Sequence, residues 1–303
     1  MHSRRRPFSR AAWLLALLAA AGAPATLPAQ DPKPLTIEDY ATWRAIRDAA
    51  ISGDGRYVAY TLRYTNVLED DEEPVLHIRD LRTDREIEIA NAHGGEFSRD
   101  SRWIVYEVDE VKPERDGRGG GADADTAAAE AADSAGPAAS PQRFELRELS
   151  TGRTRSWERV QAASFNTPAT HLLLRRRSAD RGRDGGDGRD DDSRGADYVL
   201  HDLADGRSLF LGAVGDAAFS RQGDLLAYAV EAEVRDGNGL FVMDLATDRV
   251  HVLENDTLLY SRIEWSDDGE RVAALKGHPV DEMRERENTL VAFGDIRPRL
   301  RGR

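Results

Sequence analysis

The chain has 303 residues, no cysteine and a formal net charge of −13. That length can bury a large core, the absence of cysteine excludes a disulfide-stapled scaffold, and the acidic balance argues against a general nucleic-acid surface, which needs a basic stripe. All but three of the 42 basic residues are arginine, the exceptions being Lys33, Lys112 and Lys276, which reads as a compositional bias rather than a phosphate-binding choice.

At the N-terminus, Arg4, Arg5, Arg6 and Arg10 precede an apolar run from Ala11 to about Ala23 and then the small-residue stretch PATLPAQ. That is the order of an export signal, so residues 1–29 are predicted to be a signal peptide, cut after Ala29 or alternatively after Ala25. The run is short for a membrane span, and no span is expected after its removal. Arg5-Arg6-Pro7-Phe8 also fits the core of a twin-arginine signal, so both export routes stay open. The expected location is periplasmic or extracellular.

Residues 30–50 form an N-terminal segment. From Leu35 to Ala50 the spacing is helical: Thr36 and Asp39 make a capping box, and Ile37, Tyr40, Trp43 and Ile46 recur at three-residue steps. A short helix is expected here, packing its apolar face on the first β-repeat or closing a gap in the ring.

From 51 to 303 the chain repeats itself. ISGDGRYVAY (Ile51 to Tyr60) returns as FSRDSRWIVY (Phe97 to Tyr106), FNTPATHLLL (Phe165 to Leu174), FSRQGDLLAY (Phe219 to Tyr228) and WSDDGERVAA (Trp265 to Ala274). Each is an apolar or aromatic residue, a polar turn and an apolar strand. A second motif comes after the first four copies: LHIRDLRTDR, FELRELSTGR, YVLHDLADGR and LFVMDLATDR, alternating strands that end in an acidic residue, Leu and a turn. The copies start near 51, 97, 165, 219 and 265, and the shortest spacing, 46 residues, is the length of one four-stranded propeller blade. The predicted fold is therefore all-β: a β-propeller of four-stranded antiparallel blades, about five of them, expected as an incomplete ring. An open arc would expose apolar faces and strand edges, whereas a closed five-bladed ring would not. Asp54, Gly55, Asp100, Gly223, Asp268 and Gly269 are expected to be structural turn residues.

The longer spacings hold inserts. Residues 111–141 are rich in Gly, Ala, Asp and Glu with almost no large apolar side chain, and 178–197 are rich in Arg, Gly and Asp; both are expected to be disordered loops. Within the second, Gly185 to Asp190 matches the start of a calcium-binding nonapeptide, which would make Asp187, Asp190 and Asp192 calcium ligands. Asp192 stands where that motif wants an apolar residue and the copy is single, so a charged loop is the default expectation. EDDEEP, Glu69 to Pro74, reads as a solvated hairpin connection, and the residues from Arg297 onward as a tail.

The pairing of [FW]-S-x-D-G-x-x-[VIL]-A-[YF] with a later D-L-x-T-G strand end, after an export signal and an expected helix containing Trp43, Arg44, Ile46 and Arg47, resembles the propeller half of bacterial prolyl oligopeptidase-family serine peptidases. It is also similar to TolB-like propellers of the periplasm. The resemblance covers roughly residues 35 to 296. It implies a propeller that restricts access to short peptides and docks an α/β-hydrolase domain carrying a Ser-Asp-His triad.

The sequence departs from that family in having no G-x-S-x-G: Ser150 has Gly152 but Glu148, and Ser208 has Gly206 but Phe210. His2, His77, His93, His171, His201, His251 and His278 are scattered, and those in the repeats read as blade positions rather than general bases. No metal-spaced cluster or phosphate loop is present, so no catalytic residue, cofactor or metal is expected. The expected function is the non-catalytic propeller portion of an exported prolyl oligopeptidase-like peptidase; the alternative is a free-standing TolB-like interaction module. The expected partners are a hydrolase domain of the same parent protein or a periplasmic protein, and peptide substrate in the full enzyme, with no nucleic acid.

Overall fold

A computed structural model of the chain describes residues 35–40, 42–65, 73–110, 142–177, 195–232, 237–280 and 286–300. The chain divides into two units, residues 1–42 and 43–303. The predicted signal segment, residues 111–141 and most of the 178–197 insert, including Asp187, Asp190 and Asp192, lie outside the described residues.

In the first unit a single helical turn, α1 (Ile37–Tyr40), is opened by Thr36, whose backbone N–H and hydroxyl donate to Asp39 Oδ2 at 2.9 and 3.1 Å. The predicted capping pair therefore forms, but the helix ends at Tyr40 instead of reaching Ala50. From Arg44 the chain belongs to the second unit as a strand.

The described residues of the second unit are all-β apart from one short helix. β1 (Arg44–Ile51), β2 (Tyr57–Tyr64), β3 (Val75–Asp80) and β4 (Arg85–Ala90) make a four-stranded antiparallel sheet in chain order, here repeat 1. β5 (Ala92–Phe97), β6 (Trp103–Val108), β7 (Arg143–Glu148) and β8 (Thr154–Glu158) make repeat 2 in the same order. β9 (Val160–Phe165), β10 (His171–Arg176), β11 (Ala196–Asp202), β12 (Ser208–Phe219), β13 (Leu225–Val230), β14 (Gly239–Asp244) and β15 (Arg249–Asn255) form one seven-stranded sheet. It is two such units, repeats 3 and 4, sharing a strand: β12 pairs with β11 from Ser208 to Val214 and with β13 from Val214 to Phe219. β16 (Leu259–Trp265), β17 (Val272–Pro279) and β18 (Arg286–Phe293) make the three-stranded repeat 5. These consecutive meanders are the sheets of a β-propeller.

The helical reading of 44–50 fails for an identifiable reason. β1 pairs with β2 from Arg44↔Tyr64 to Ile51↔Val58, but the register shifts between Arg47 and Ala50, where Asp48 takes a φ of 50°. This β-bulge inserts an extra residue and breaks the period of two, leaving Ile46 and Ile51 with a spacing that no regular strand shows. Bulges recur at the same place: Gly94 and Arg262, like Asp48, stand three residues before the repeat's apolar residue and have φ of 62° and 52°. Each repeat accordingly begins one strand before the copy start read from the sequence. Two smaller differences concern ends: β11 begins at Ala196, inside the predicted insert, and the expected tail includes a helix, α2 (Ile296–Leu300), whose Ile296 is fully buried.

Between first and second strands, all five repeats use one turn. The carbonyl of Ser52, Ser98, Asn166, Ser220 or Ser266 accepts the N–H three residues on, at 2.8–3.0 Å, and that residue is left-handed: Gly55 (φ 68°), Ser101 (59°), Ala169 (54°), Gly223 (74°) and Gly269 (67°). The side-chain oxygen of the same opening residue accepts the N–H five residues on, from Tyr57, Trp103, His171, Leu225 or Arg271. Asp54, Asp100 and Asp268 each accept from the opening serine hydroxyl and from the N–H two residues on. Glycine takes the left-handed position freely; Ser101 and Ala169 do so at a cost of roughly 1–2 kcal/mol.

Among the described residues the core is four clusters, one between each pair of consecutive repeats. Ala59, Leu76 and Ile78 of repeat 1 meet Ile104, Tyr106 and Val108 of repeat 2. Val105 and Leu146, on the other face of repeat 2, meet Leu172, Leu174 and Val199 of repeat 3. Leu173, Tyr198 and Leu200 meet Leu226, Tyr228 and Met243, and finally Leu225, Ala227 and Leu240 meet Tyr260, Ile263 and Val272. Successive residues of one strand thus serve different interfaces, which is why second strands such as HLLLRR and LLAYAV contain unbroken apolar runs instead of alternating. Each fully buried Leu or Ile contributes about 2 kcal/mol.

Candidate functional site

The antiparallel order gives every sheet two unlike ends. One carries the first-to-second turn and, beside it, the third-to-fourth turn of the D-L-x-T-G motif; we call it the turn end. The other carries the second-to-third connections and the crossings from one repeat to the next; we call it the loop end.

At the turn end, two equivalent clefts lie between neighbouring repeats. One of about 350 Å³ lies between repeats 1 and 2 and is lined by Tyr57, Ile78, Arg85 and Ile87 on one side and Arg147, Leu149 and Gly152 on the other. One of about 290 Å³ lies between repeats 2 and 3, where Trp103, Leu146, Arg153 and Arg155 face His201, Leu203 and Gly206, the same positions one repeat on. Asp80 and Glu148 occupy equivalent turn positions. Asp80 receives Arg56 Nη2 at 2.7 Å, which holds its carboxyl well below the usual range, and Glu148 is held low by Thr151 and then Arg153. These carboxylates are spent on closing turns.

His201, only 3% exposed, is pushed down to about 4 by burial and then by the nearby Arg155 charge, so its ring is neutral at pH 7. Its Nδ1 lies 3.0 Å from Ser208 Oγ, one of the two near-miss serines, and also 3.0 Å from the Arg207 carbonyl. A nitrogen that donates its proton to a carbonyl cannot remove one from a serine, and the ring packs edge-on against Trp157, centroids 5.0 Å apart. Ser150, the other near miss, lines the first cleft with no histidine among that cleft's lining residues. His171 Nδ1 lies 3.0 Å from Thr170 Oγ1, and His77 stacks on Tyr60 while its Nδ1 lies 3.1 Å from Glu86 Oε1.

The loop end gathers charged groups that no motif announces. Between repeats 4 and 5, Lys276 Nζ binds Glu254 at 2.8 Å and Asp256 at 2.5 Å, and these acids raise its pKa. Glu231, buried at the end of β13, has its carboxyl pushed up by burial; Arg286 at 3.8 Å acts against that and Asp216 adds to it. Gly215 makes room for it: a Cβ there would stand 2.3 Å from the Glu231 carboxyl carbon. In repeat 2, His93, Glu107 and Asp109 each offer one ligand atom, all within 4.8 Å of one another and all half-buried. This is the group of described side chains that has the donor types of a metal site. Sequence reading passed it over because the three residues come together only through strand register.

The turn residues singled out in the sequence, Asp54, Gly55, Asp100, Gly223, Asp268 and Gly269, all sit at the turn end and touch none of these loop-end clusters. No helix among the described residues is long and apolar enough to cross a membrane.

Neither a protein-family model nor a curated protein matches the sequence. Solved structures do resemble it. The β-propeller domain of the Trilobed protease from Pyrococcus furiosus is 14% identical over 84% of this chain and 70% of its own, with a TM-score of 0.42. Prolyl oligopeptidase B from Galerina marginata is 11% identical over 88% of this chain and 36% of its own, with a TM-score of 0.45. TolB from Acinetobacter baumannii is 14% identical over 82% of this chain and 55% of its own, with a TM-score of 0.34. The chain spans less than two fifths of the acylaminoacyl and prolyl peptidase chains it matches. Likenesses at this level of identity concern fold alone, and the all-β propeller assignment rests on the repeated sheets themselves.

Proposed function

We propose that this chain is the non-catalytic β-propeller portion of an exported prolyl oligopeptidase-like serine peptidase. In this reading it gates the access of peptides and docks a hydrolase domain that its own sequence does not encode. Five blades form an incomplete ring, and residues 1–29 direct export. The observation that carries the reading is the pairing of the Ser-x-Asp-Gly turn with the Asp-Leu-x-Thr-Gly turn in successive units, each folded as an antiparallel sheet.

The division of labour comes from chemistry. Peptide-bond cleavage by this route needs a serine nucleophile, a histidine base and oxyanion donors within hydrogen-bond reach. The contact between Ser208 and His201 uses a buried nitrogen already directed at a carbonyl. Chemistry is therefore assigned to the partner domain, and to the propeller the task of admitting extended peptides while excluding folded proteins.

The test is to isolate the native product with an antibody against this chain and treat it with a fluorophosphonate probe for active serines. A labelled hydrolase on the same polypeptide, or held tightly to it, is expected, with no label on the recombinant 303-residue chain. Native material that carries no labelled hydrolase would overturn the proposal in favour of an interaction module.

A further inference from the structure

We propose that His93, Glu107 and Asp109 form a binding site for a divalent transition-metal ion of the Zn²⁺ class at the loop end of repeat 2. The proposal does not depend on the peptidase reading. Its basis is register. His93 on β5 lies directly opposite Glu107 on β6 in the antiparallel ladder, so the two side chains leave the sheet on the same face. Asp109 is two residues beyond Glu107 and shares that face, while Ala92 and Val108, on the opposite face, are buried against repeat 1.

The site is held from outside as well. Gln142 Nε2 donates to Glu107 Oε1, and the Asp109 backbone N–H donates to the Asn91 carbonyl at 2.7 Å. The bulge after His93, with Gly94 at φ 62°, ends the regular pairing at the point where the imidazole is presented. Partners that fix the orientation of ligands in this way are what a metal site needs around its first set of donors.

Distances and donor chemistry select the ion. A tetrahedral Zn²⁺ about 2.1 Å from each ligand sets the donor atoms about 3.4 Å apart. His93 Nε2 and Asp109 Oδ1 stand at 3.2 Å, and a Glu107 oxygen lies within 4.8 Å of both. Two carboxylates supply charge for any divalent ion, but the imidazole favours Zn²⁺ and its neighbours over Ca²⁺ or Mg²⁺, which prefer oxygen alone. Three protein ligands leave the fourth position to water, the open form of zinc site.

The experiment is calorimetric titration of the EDTA-treated, desalted full chain with ZnCl₂. His93→Ala and Asp109→Asn are titrated alongside it, with His77→Ala as a control at another histidine beside carboxylates. We expect one tight site per chain, weakened at least about tenfold in both ligand variants and unchanged in the control. Co²⁺ in place of Zn²⁺ should give visible d–d absorption that His93→Ala removes, a signature that a general loss of charge does not produce. Unchanged thermal midpoints in EDTA establish that the variants are folded; Glu107→Gln, which keeps a hydrogen-bonding side chain beside Gln142, replaces any variant that is not. Absence of a tight site in the wild type, equal binding by wild type and ligand variants, or tighter binding of Ca²⁺ than of Zn²⁺ would overturn the proposal.

Discussion

At the turn end, five segments of different sequence close in one way, with a carbonyl bonded three residues on, a side-chain oxygen bonded five residues on and a left-handed residue between. At the loop end the repeats differ: repeat 2 presents His93 with two carboxylates, repeat 4 buries Glu231, and repeat 5 surrounds Lys276 with acids. The turn end repeats because every blade must reverse the chain over the same distance, and the hydrogen bonds that do so have few solutions. The loop end is free of that constraint. Its individual features sit on a scaffold that is already closed at the other end, which is where binding chemistry is found on rigid folds.

Both ends depend on the inter-repeat apolar clusters, and damage there should have the largest effect. Leu226→Ala, at a fully buried position between repeats 3 and 4, should cost about 4 kcal/mol in chemical denaturation, whereas Leu290→Ala, 70% exposed on β18, should change stability by less than about 0.5 kcal/mol. Similar costs for the two would contradict the assignment of the core to the inter-repeat faces.

Acid should act through His201. Its folded pKa of about 4 lies below the ordinary 6.5, so the fold favours the neutral ring. That contribution is fully present above pH 6.5, is lost as pH falls towards 4, and amounts to on the order of 3 kcal/mol. The stability difference between wild type and His201→Phe should therefore shift over this window; a difference that stays flat with pH would refute the buried neutral histidine.

A subtler contrast lies within the turn itself. Gly223→Ala suffers from the left-handed φ and would also bring a Cβ within 2.4 Å of Pro168 and 2.6 Å of the Thr167 nitrogen, so about 2 kcal/mol or more is expected. Gly55→Ala has the same backbone problem but meets open space, and should cost about 1 kcal/mol. Equal thermal shifts would mean that the turns of repeats 3 and 4 do not press together. Smallest of all, His93→Ala in EDTA should leave stability within about 0.5 kcal/mol, since the half-buried ring belongs to none of the apolar clusters of the core.

The turn end was legible because its chemistry is local: Ser52, Asp54 and Gly55 are neighbours in sequence and announce themselves by type. β1 was not, because Ile37, Tyr40, Trp43 and Ile46 recur at helix-like steps and the bulge at Asp48 breaks the alternation that would have marked a strand. α2 was hidden among arginines, although Ile296 and Leu300 return the segment to the core and Arg297 binds Asp224 beside it. The loop-end cluster was invisible for a deeper reason. His93 and Glu107 are distant in sequence and meet only through the ladder. The available signal was the alternation Glu107, Val108, Asp109 at a strand end, opposite a histidine with Gly94 and Gly95 after it, and it has meaning only once the register is known.

The proposed role requires a serine hydrolase domain encoded together with this chain. The most direct measurement is to read the coding DNA beyond codon 303 in all three frames. Further blade repeats are expected there, then G-x-S-x-G and, later, the aspartate and histidine of a triad. A stop and then an unrelated gene would contradict the proposed role and leave a propeller that works by binding alone.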